Sequence, residues 1–215
     1  MRLVVGPILR ERFPGLDARL VEVRGLHVRE KDGRLDDFAA TLIAGFREEL
    51  DLATLKDEPT LRAYRDFYWR LGVDPTKLRP AAEALLRRVL QGKDLPRINT
   101  LVDAYNLASM QTRISIAAFD LACVRGDLTM RIASPGEAFR GIGMSEPGIL
   151  KGHELVVEDA TALVAIYPYR DAEATAVTTA VRDVLFMACG VPGIDDRALV
   201  AAAETAREFV ERFCH

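Results

Sequence analysis

Residues 113–137 read RISIAAFDLACVRGDLTMRIASPGE, and the period of the chain changes across them. Upstream, apolar residues recur at three- and four-residue spacing. Within the stretch, Leu128, Met130 and Ile132 alternate with Thr129 and Arg131, the two-residue period of a half-buried strand. Arg125-Gly126-Asp127 supplies the turn that starts it. The stretch holds no evident nucleophile, metal cage or phosphate loop. Its importance is positional: it joins a helical half to a strand-rich middle.

Working outward, the amino-terminal side opens with strands near Leu3–Val5 and Leu20–Val23, followed by a helix in which Phe38, Leu42 and Phe46 recur every four residues beside Ala39 and Ile43. Thr60 is placed to cap a second helix with Leu61, Tyr64, Tyr68 and Leu71 on one face and Gly72 as its stop. Tyr64, Phe67, Tyr68 and Trp69 read either as a base-stacking platform or as core, and helical spacing favours core. After Pro80, a third helix turns Leu85, Leu86, Val89 and Leu90 inward and Arg87, Arg88 and Gln91 outward. A fourth, in INTLVDAYNLAS, buries Ile98, Leu101, Val102 and Tyr105.

On the carboxyl-terminal side, ELVVEDATALVAIYPY reads as two strands about an Asp159-Ala160 turn, and VRDVLFMAC as a buried strand. A loop at Gly190–Gly193 precedes a helix that starts near Asp195 or Asp196 and buries Leu199, Ala203, Ala206, Val210 and Phe213. Helices at both ends and strands between give a mixed α/β class, and the absence of βαβ alternation excludes a doubly wound parallel sheet.

The chain has 215 residues, 49% hydrophobic and 28% charged, which suits one domain with a substantial core. A net charge of −3 excludes a generally basic nucleic-acid coat but permits a basic patch. Cys123, Cys189 and Cys214 are odd in number and widely spaced, the usage of a reducing compartment. No segment reaches spanning length and the amino terminus lacks a secretory h-region, so a cytoplasmic protein is expected.

Chemistry is sparse. His27, His153 and His215 do not pair at metal spacing. His153 beside Glu154 reads as a general base or, more readily, as an exposed turn residue. Gly141-Ile142-Gly143 is not a dinucleotide loop, because position 146 is glutamate and no strand-loop-helix unit surrounds it. The informative charge feature is the window from Lys77 to Arg97, where Lys77, Arg79, Arg87, Arg88, Lys93 and Arg97 face only Glu83 and Asp94, a local excess of +4. Such a window can displace phosphate counterions, or it is a solvated helix face.

RPAAEALLRRVLQGKDLPRINTLVDAYNLAS, then ISIAAFD, RGDLTMRIASPGE and ELVVED, occur in this order. Together they resemble the B3/B4 domain, the editing and tRNA-binding module of the bacterial phenylalanyl-tRNA synthetase β subunit. The likeness is stronger still to free-standing B3/B4 proteins. It is strongest over 70–190 and implies one B3/B4-like domain over 1–215, built on a central mixed or antiparallel sheet flanked by helices. Residues 1–60 and a helix at 195–213 would pack on it.

The resemblance implies a pocket lined by Asn106, Ala117, Phe119, Glu137, Arg170, Asp171 and Met187. Asn106 matches a pocket asparagine and would orient water and ester. Ala117 stands where the family has histidine, and Met187 where a glutamate recognises the phenol of tyrosine. Neither can make that hydrogen bond, so tyrosine selectivity is expected to be lost.

The residues also admit plainer roles. Asn106 could cap a loop, Asp120 could fix a turn, and Glu137 could be a turn residue paired with an arginine. Arg170-Asp171, in a loop between strands, is the more plausible pocket-facing pair.

For RNA, Arg79, Arg87, Arg88, Lys93 and Arg97 are the expected contacts. The implied partner is tRNA or aminoacyl-tRNA, with ester hydrolysis the only turnover and no aminoacylation from this chain alone. The alternatives are a module or hydrolase for a free amino acid, and a pure interaction domain. No cofactor, metal, DNA or membrane is expected.

Overall fold

A computed structural model describes residues 1–215. The elements are β1 (Leu3–Val5), α1 (Pro7–Arg12), β2 (Ala18–Val23), α2 (Gly33–Glu49), α3 (Pro59–Arg70), α4 (Ala81–Leu90), α5 (Thr100–Thr112), β3 (Ser115–Asp120), β4 (Leu128–Ile132), β5 (Ala138–Phe139), β6 (Gly148–Ile149), β7 (Leu155–Glu158), β8 (Leu163–Ile166), β9 (Arg170–Asp171), β10 (Val184–Cys189) and α6 (Asp196–Cys214). The class is mixed α/β, with mixed sheets flanked by helices.

The strands of the expected central sheet divide between two principal sheets. One has five strands in the order β1-β4-β7-β8-β9, with β1 parallel to β4 and the rest antiparallel. The other is antiparallel, β2-β10-β3. A separate ribbon pairs β5 with β6.

The opening stretch spans both sheets. β3 closes the second, and at its end the Asp120 carboxylate accepts from Ala122 N at 3.0 Å, bending the chain into a 3-10 turn at Leu121–Cys123. Gly126 then adopts φ +72°, a conformation that disfavours a Cβ. The chain re-enters the first sheet as β4. Asp127 accepts from Arg2 N at 2.9 Å and Asp159 accepts from Arg125 N at 2.7 Å, so the crossing is tied to the strands on both sides of β4.

Helix α6 packs on α5, β2 and β10, with Leu199, Ala203, Ala206, Val210 and Phe213 buried and Asp195 capping Ala198 N at 2.8 Å. The main apolar core runs from Val5 to Cys214 and takes in both sheets, and a smaller cluster of Ala133, Phe139, Leu150, Val156, Ile166 and Ala172 lies on the five-stranded sheet beside the β5–β6 ribbon. No helix is long and apolar enough to cross a membrane.

The tyrosines of α3 are core, and one is built into a ladder. Ser115 N donates to the Tyr64 hydroxyl at 3.0 Å, and that hydroxyl donates to the Cys189 carbonyl. The phenol therefore bridges Ser115 and Cys189, which face each other across β3 and β10. Tyr64→Phe should leave a backbone donor and acceptor unpaired in the core. A loss of about 1–3 kcal/mol is expected in denaturant unfolding, with the slope unchanged.

Several local expectations need correction. Trp69 does not join Tyr64, Phe67 and Tyr68 in the core but is 56% exposed. Glu58, rather than Thr60, caps α3, its carboxylate accepting from Leu61 N at 2.9 Å. Ile98 is 58% exposed because Asn99 caps α5 by accepting from Val102 N at 2.9 Å, which leaves Ile98 outside the helix. Arg87 turns inward, where Glu83 on α4 is fully buried. Glu83 binds Arg87 at 2.7 Å and Arg65 of α3 at 2.9 Å. The six-residue α1 was not foreseen, and Pro7 at its first position favours it.

Candidate functional site

Helix α5 forms the spine of the candidate region, and its faces look into different surroundings. Asp103, Asn106 and Leu107 line a hollow with Leu35, Leu95 and Arg97. That hollow measures about 10 Å³, the room of a single water at most. Asn106 therefore does not open onto a space for an amino-acid side chain. Asp103 accepts from Ile98 N at 3.0 Å and from Arg97 at 3.0 Å; its burial raises the carboxyl's pKa, against the pull of these partners.

Ala117 and Met187 are brought directly opposite each other across β3 and β10, and Phe119 lies two residues along. All three are buried in the main core. Glu137 stands apart from them. Its carboxylate binds the Arg131 guanidinium through two contacts, 2.9 and 2.6 Å, and Glu158 holds the same guanidinium at 2.6 Å. These carboxylates raise the pKa of Arg131, while Arg131 lowers that of Glu137. The arrangement braces β4 and β7 away from α5.

Arg170 and Asp171, which form β9, diverge. The Arg170 guanidinium donates to the Ile142 carbonyl at 3.1 Å, and its stem lies so close over Gly141 that a Cβ there would collide with it. Asp171 reaches the other way, to the edge of β3, where its carboxylate accepts from Ala118 N at 3.4 Å. No cationic side chain pairs with it. Burial pushes the Asp171 carboxyl up to about 7, opposed only by the Ala118 amide. Tyr105 of α5 approaches from the helical side, its ring 5.7 Å from that of Phe186. Burial and the neighbouring Asp171 and Asp103 carboxylates keep its phenol protonated.

The basic window divides. Arg87 is held by Glu83, and Arg97 by Asp36 and Asp103. Arg88 donates to the Asp94 carbonyl, while Lys93 and Arg79 are exposed and in no ion pair. Lys93 and Arg97 converge on a groove of about 440 Å³ between α2 and the α4–α5 connection, floored by Ala39, Ala40 and Ile43. Arg47 of α2 is the contributor that the sequence reading missed. It donates to the Val89 carbonyl at 3.0 Å and lines the same groove. It lies thirty residues before the window, and only its spacing of four from Ile43 placed it on that face. A cleft of about 630 Å³ between α2, α3 and the end of α5 contains none of the expected site residues.

No cluster of three or more His, Cys, Asp or Glu side chains is placed to hold an ion. His153 is exposed at its turn.

Residues 63–215 match the family model of the B3/4 domain. The chain belongs to the B3/4 domain family. The part matched to the B3/4 domain begins within α3 and includes everything from there to the end of α6. No curated protein matches the chain. Among solved structures, an N-terminal fragment of the phenylalanyl-tRNA synthetase β subunit from Pyrococcus horikoshii is similar, with a TM-score of 0.52 and 14% identity, covering 99% of this chain and 48% of that one. This B3/4 protein thus spans about half the length of the solved fragment, and at that identity the likeness concerns the fold. β2 lies outside the B3/4 match, yet it forms one edge of the sheet that carries β3 and β10.

Proposed function

We propose that this B3/4 protein is a cytoplasmic module that binds the aminoacylated end of tRNA. The single observation that carries the reading is the groove lined by Arg47, Lys93 and Arg97 beside α5. Its three cations face two carboxylates of the same lining, Asp36 and Asp94, and Arg97 is paired with Asp36, so the groove keeps a small positive excess, carried most freely by Lys93, on a chain of net charge −3. Such a local excess is what contact with phosphates on one face uses. The kinship with a synthetase subunit that acts on tRNA supports the choice of nucleic acid. Cleavage of a mischarged ester in trans is the finer form of the proposal. Asp171 is the candidate for that step, because its carboxylate has one hydrogen bond, at 3.4 Å, and burial raises its pKa, whereas the hollow beside Asn106 has room only for water.

The test is binding to bulk tRNA across a salt series. Affinity should fall steeply as salt rises, as counterion release requires. Lys93→Glu combined with Arg79→Glu should weaken binding about tenfold or more and leave the melting temperature nearly unchanged, since both side chains are exposed and neither has an ion-pair partner to lose. Binding that ignores both salt and these reversals would remove the reading. A panel of mischarged tRNAs, followed for loss of the ester, separates an editing protein from a binder.

A second reading, a module for a free amino acid, is favoured by one observation: the Asp171 carboxylate has no cation beside it. Thermal stabilisation by amino acids with no binding of tRNA would select it.

A further inference from the structure

We propose that Asp171 receives the free α-ammonium of the amino acid on the bound tRNA end, so that an unmodified amino group is a condition for tight binding. This deepens the tRNA reading and rests on it.

The geometry of the seam between the two sheets supports the assignment. β9 is the last strand of the five-stranded sheet, and β3 is an edge strand of the three-stranded one. Asp171 crosses between these edges, and its carboxylate has a single hydrogen bond, the 3.4 Å contact with Ala118 N, leaving most of its acceptor capacity unused. The groups that face it from the packed elements are the Tyr105 phenol of α5, which also neighbours the Asp103 carboxylate, and the Cys189 thiol from β10. None is cationic. The adjacent Arg170, the obvious partner, is committed to the Ile142 carbonyl.

Other buried or half-buried carboxylates are better satisfied: Glu83, Asp32 and Asp103 pair with guanidinium groups, and Asp159 accepts from Arg125 N, Thr161 N and Ala162 N. Asp171 is half-buried, so it is reachable from solvent, and it lacks that counter-charge. A primary ammonium supplies the charge and three donors, which suit the carboxylate and the Tyr105 oxygen together. An acetylated nitrogen supplies one neutral donor and added bulk. The tertiary consequence is chemical selectivity for aminoacyl ends over N-acylated ends, whatever the side chain.

The experiment compares one tRNA in three forms, uncharged, aminoacylated and N-acetyl-aminoacylated, against the full chain and its Asp171→Asn variant. Wild type should bind the aminoacylated form about tenfold or more above the acetylated form. Asp171→Asn should bind both alike. Equal binding of the two charged forms by wild type overturns the proposal without any variant, as does a variant that still discriminates. If uncharged tRNA binds normally in either case, only this inference falls. If no form binds at low salt, the tRNA reading falls with it.

Discussion

Glu83→Ala is expected to destabilise the protein by about 3–5 kcal/mol. The carboxylate is fully buried between α3 and α4, held by Arg65 through contacts of 2.9 and 3.1 Å and by Arg87 at 2.7 Å, and those arginines are themselves only 16% and 21% exposed. Removing the anion leaves two guanidinium groups facing each other in a poorly hydrated place, and that residual charge is the larger part of the loss. Arg87→Glu should be comparably severe, because it sets two carboxylates together. It is therefore a variant of folding, and unsuited to testing RNA contact. Replacing Arg65, Glu83 and Arg87 together by methionine or leucine should recover much of the stability, since a whole ion cluster exchanged for apolar packing is often neutral. Denaturant midpoints decide the matter. A change below about 1 kcal/mol for Glu83→Ala would mean that solvent reaches the cluster.

Asp171→Asn is expected to do the opposite, and its sign depends on pH. Unfolded, the carboxyl titrates near its ordinary value of about 4; folded, it does so at about 7. Between these values the folded protein retains a proton that the unfolded chain has lost. Stability contributed by this group therefore falls as pH rises from about 4 to about 7 and is level above. The full shift corresponds to about 4 kcal/mol, and because the side chain is partly exposed a penalty of about 1–2 kcal/mol is expected. The asparagine variant should gain that amount over wild type near pH 8 and nothing near pH 4. Asp103, also raised by burial, titrates in both proteins and cancels in the comparison, as do Glu137 and Asp159, which are shifted the other way. Tyr105 and Cys189 stay protonated throughout. Unfolding curves that differ equally at both pH values would show that the carboxyl is already well solvated.

What the chain discloses in advance varies with the kind of force involved. The period-two run at Leu128–Ile132 and the Asp195 cap of α6 are local signals, and they place β4 and the last helix correctly. The family resemblance is legible in motif order, and with it the mixed class. Pairing across distance is less so. Nothing in AAEALLRRVLQGK announces that Glu83 draws Arg87 inward, since hydrophobic spacing ranks side chains by apolarity and is blind to a counter-ion on another helix. Arg47 is hidden for the same reason: its groove is assembled by packing α2 against a connection far along the chain. At the site, Ala117 and Met187 are brought together as neighbours across two strands. The size of the space beside Asn106 could not be read, because volume depends on how the residues around it interlock.

Order of synthesis sets a late deadline for this architecture. β2 finds its partner only when Ala18 meets Cys189, and β1 must wait for Leu128 to emerge. Until then, β1 and β2 carry unsatisfied strand edges and apolar faces with their native partners not yet made. Removal of residues 1–23 is therefore expected to leave β4 and β10 each without one neighbour and to expose apolar surface to aggregation.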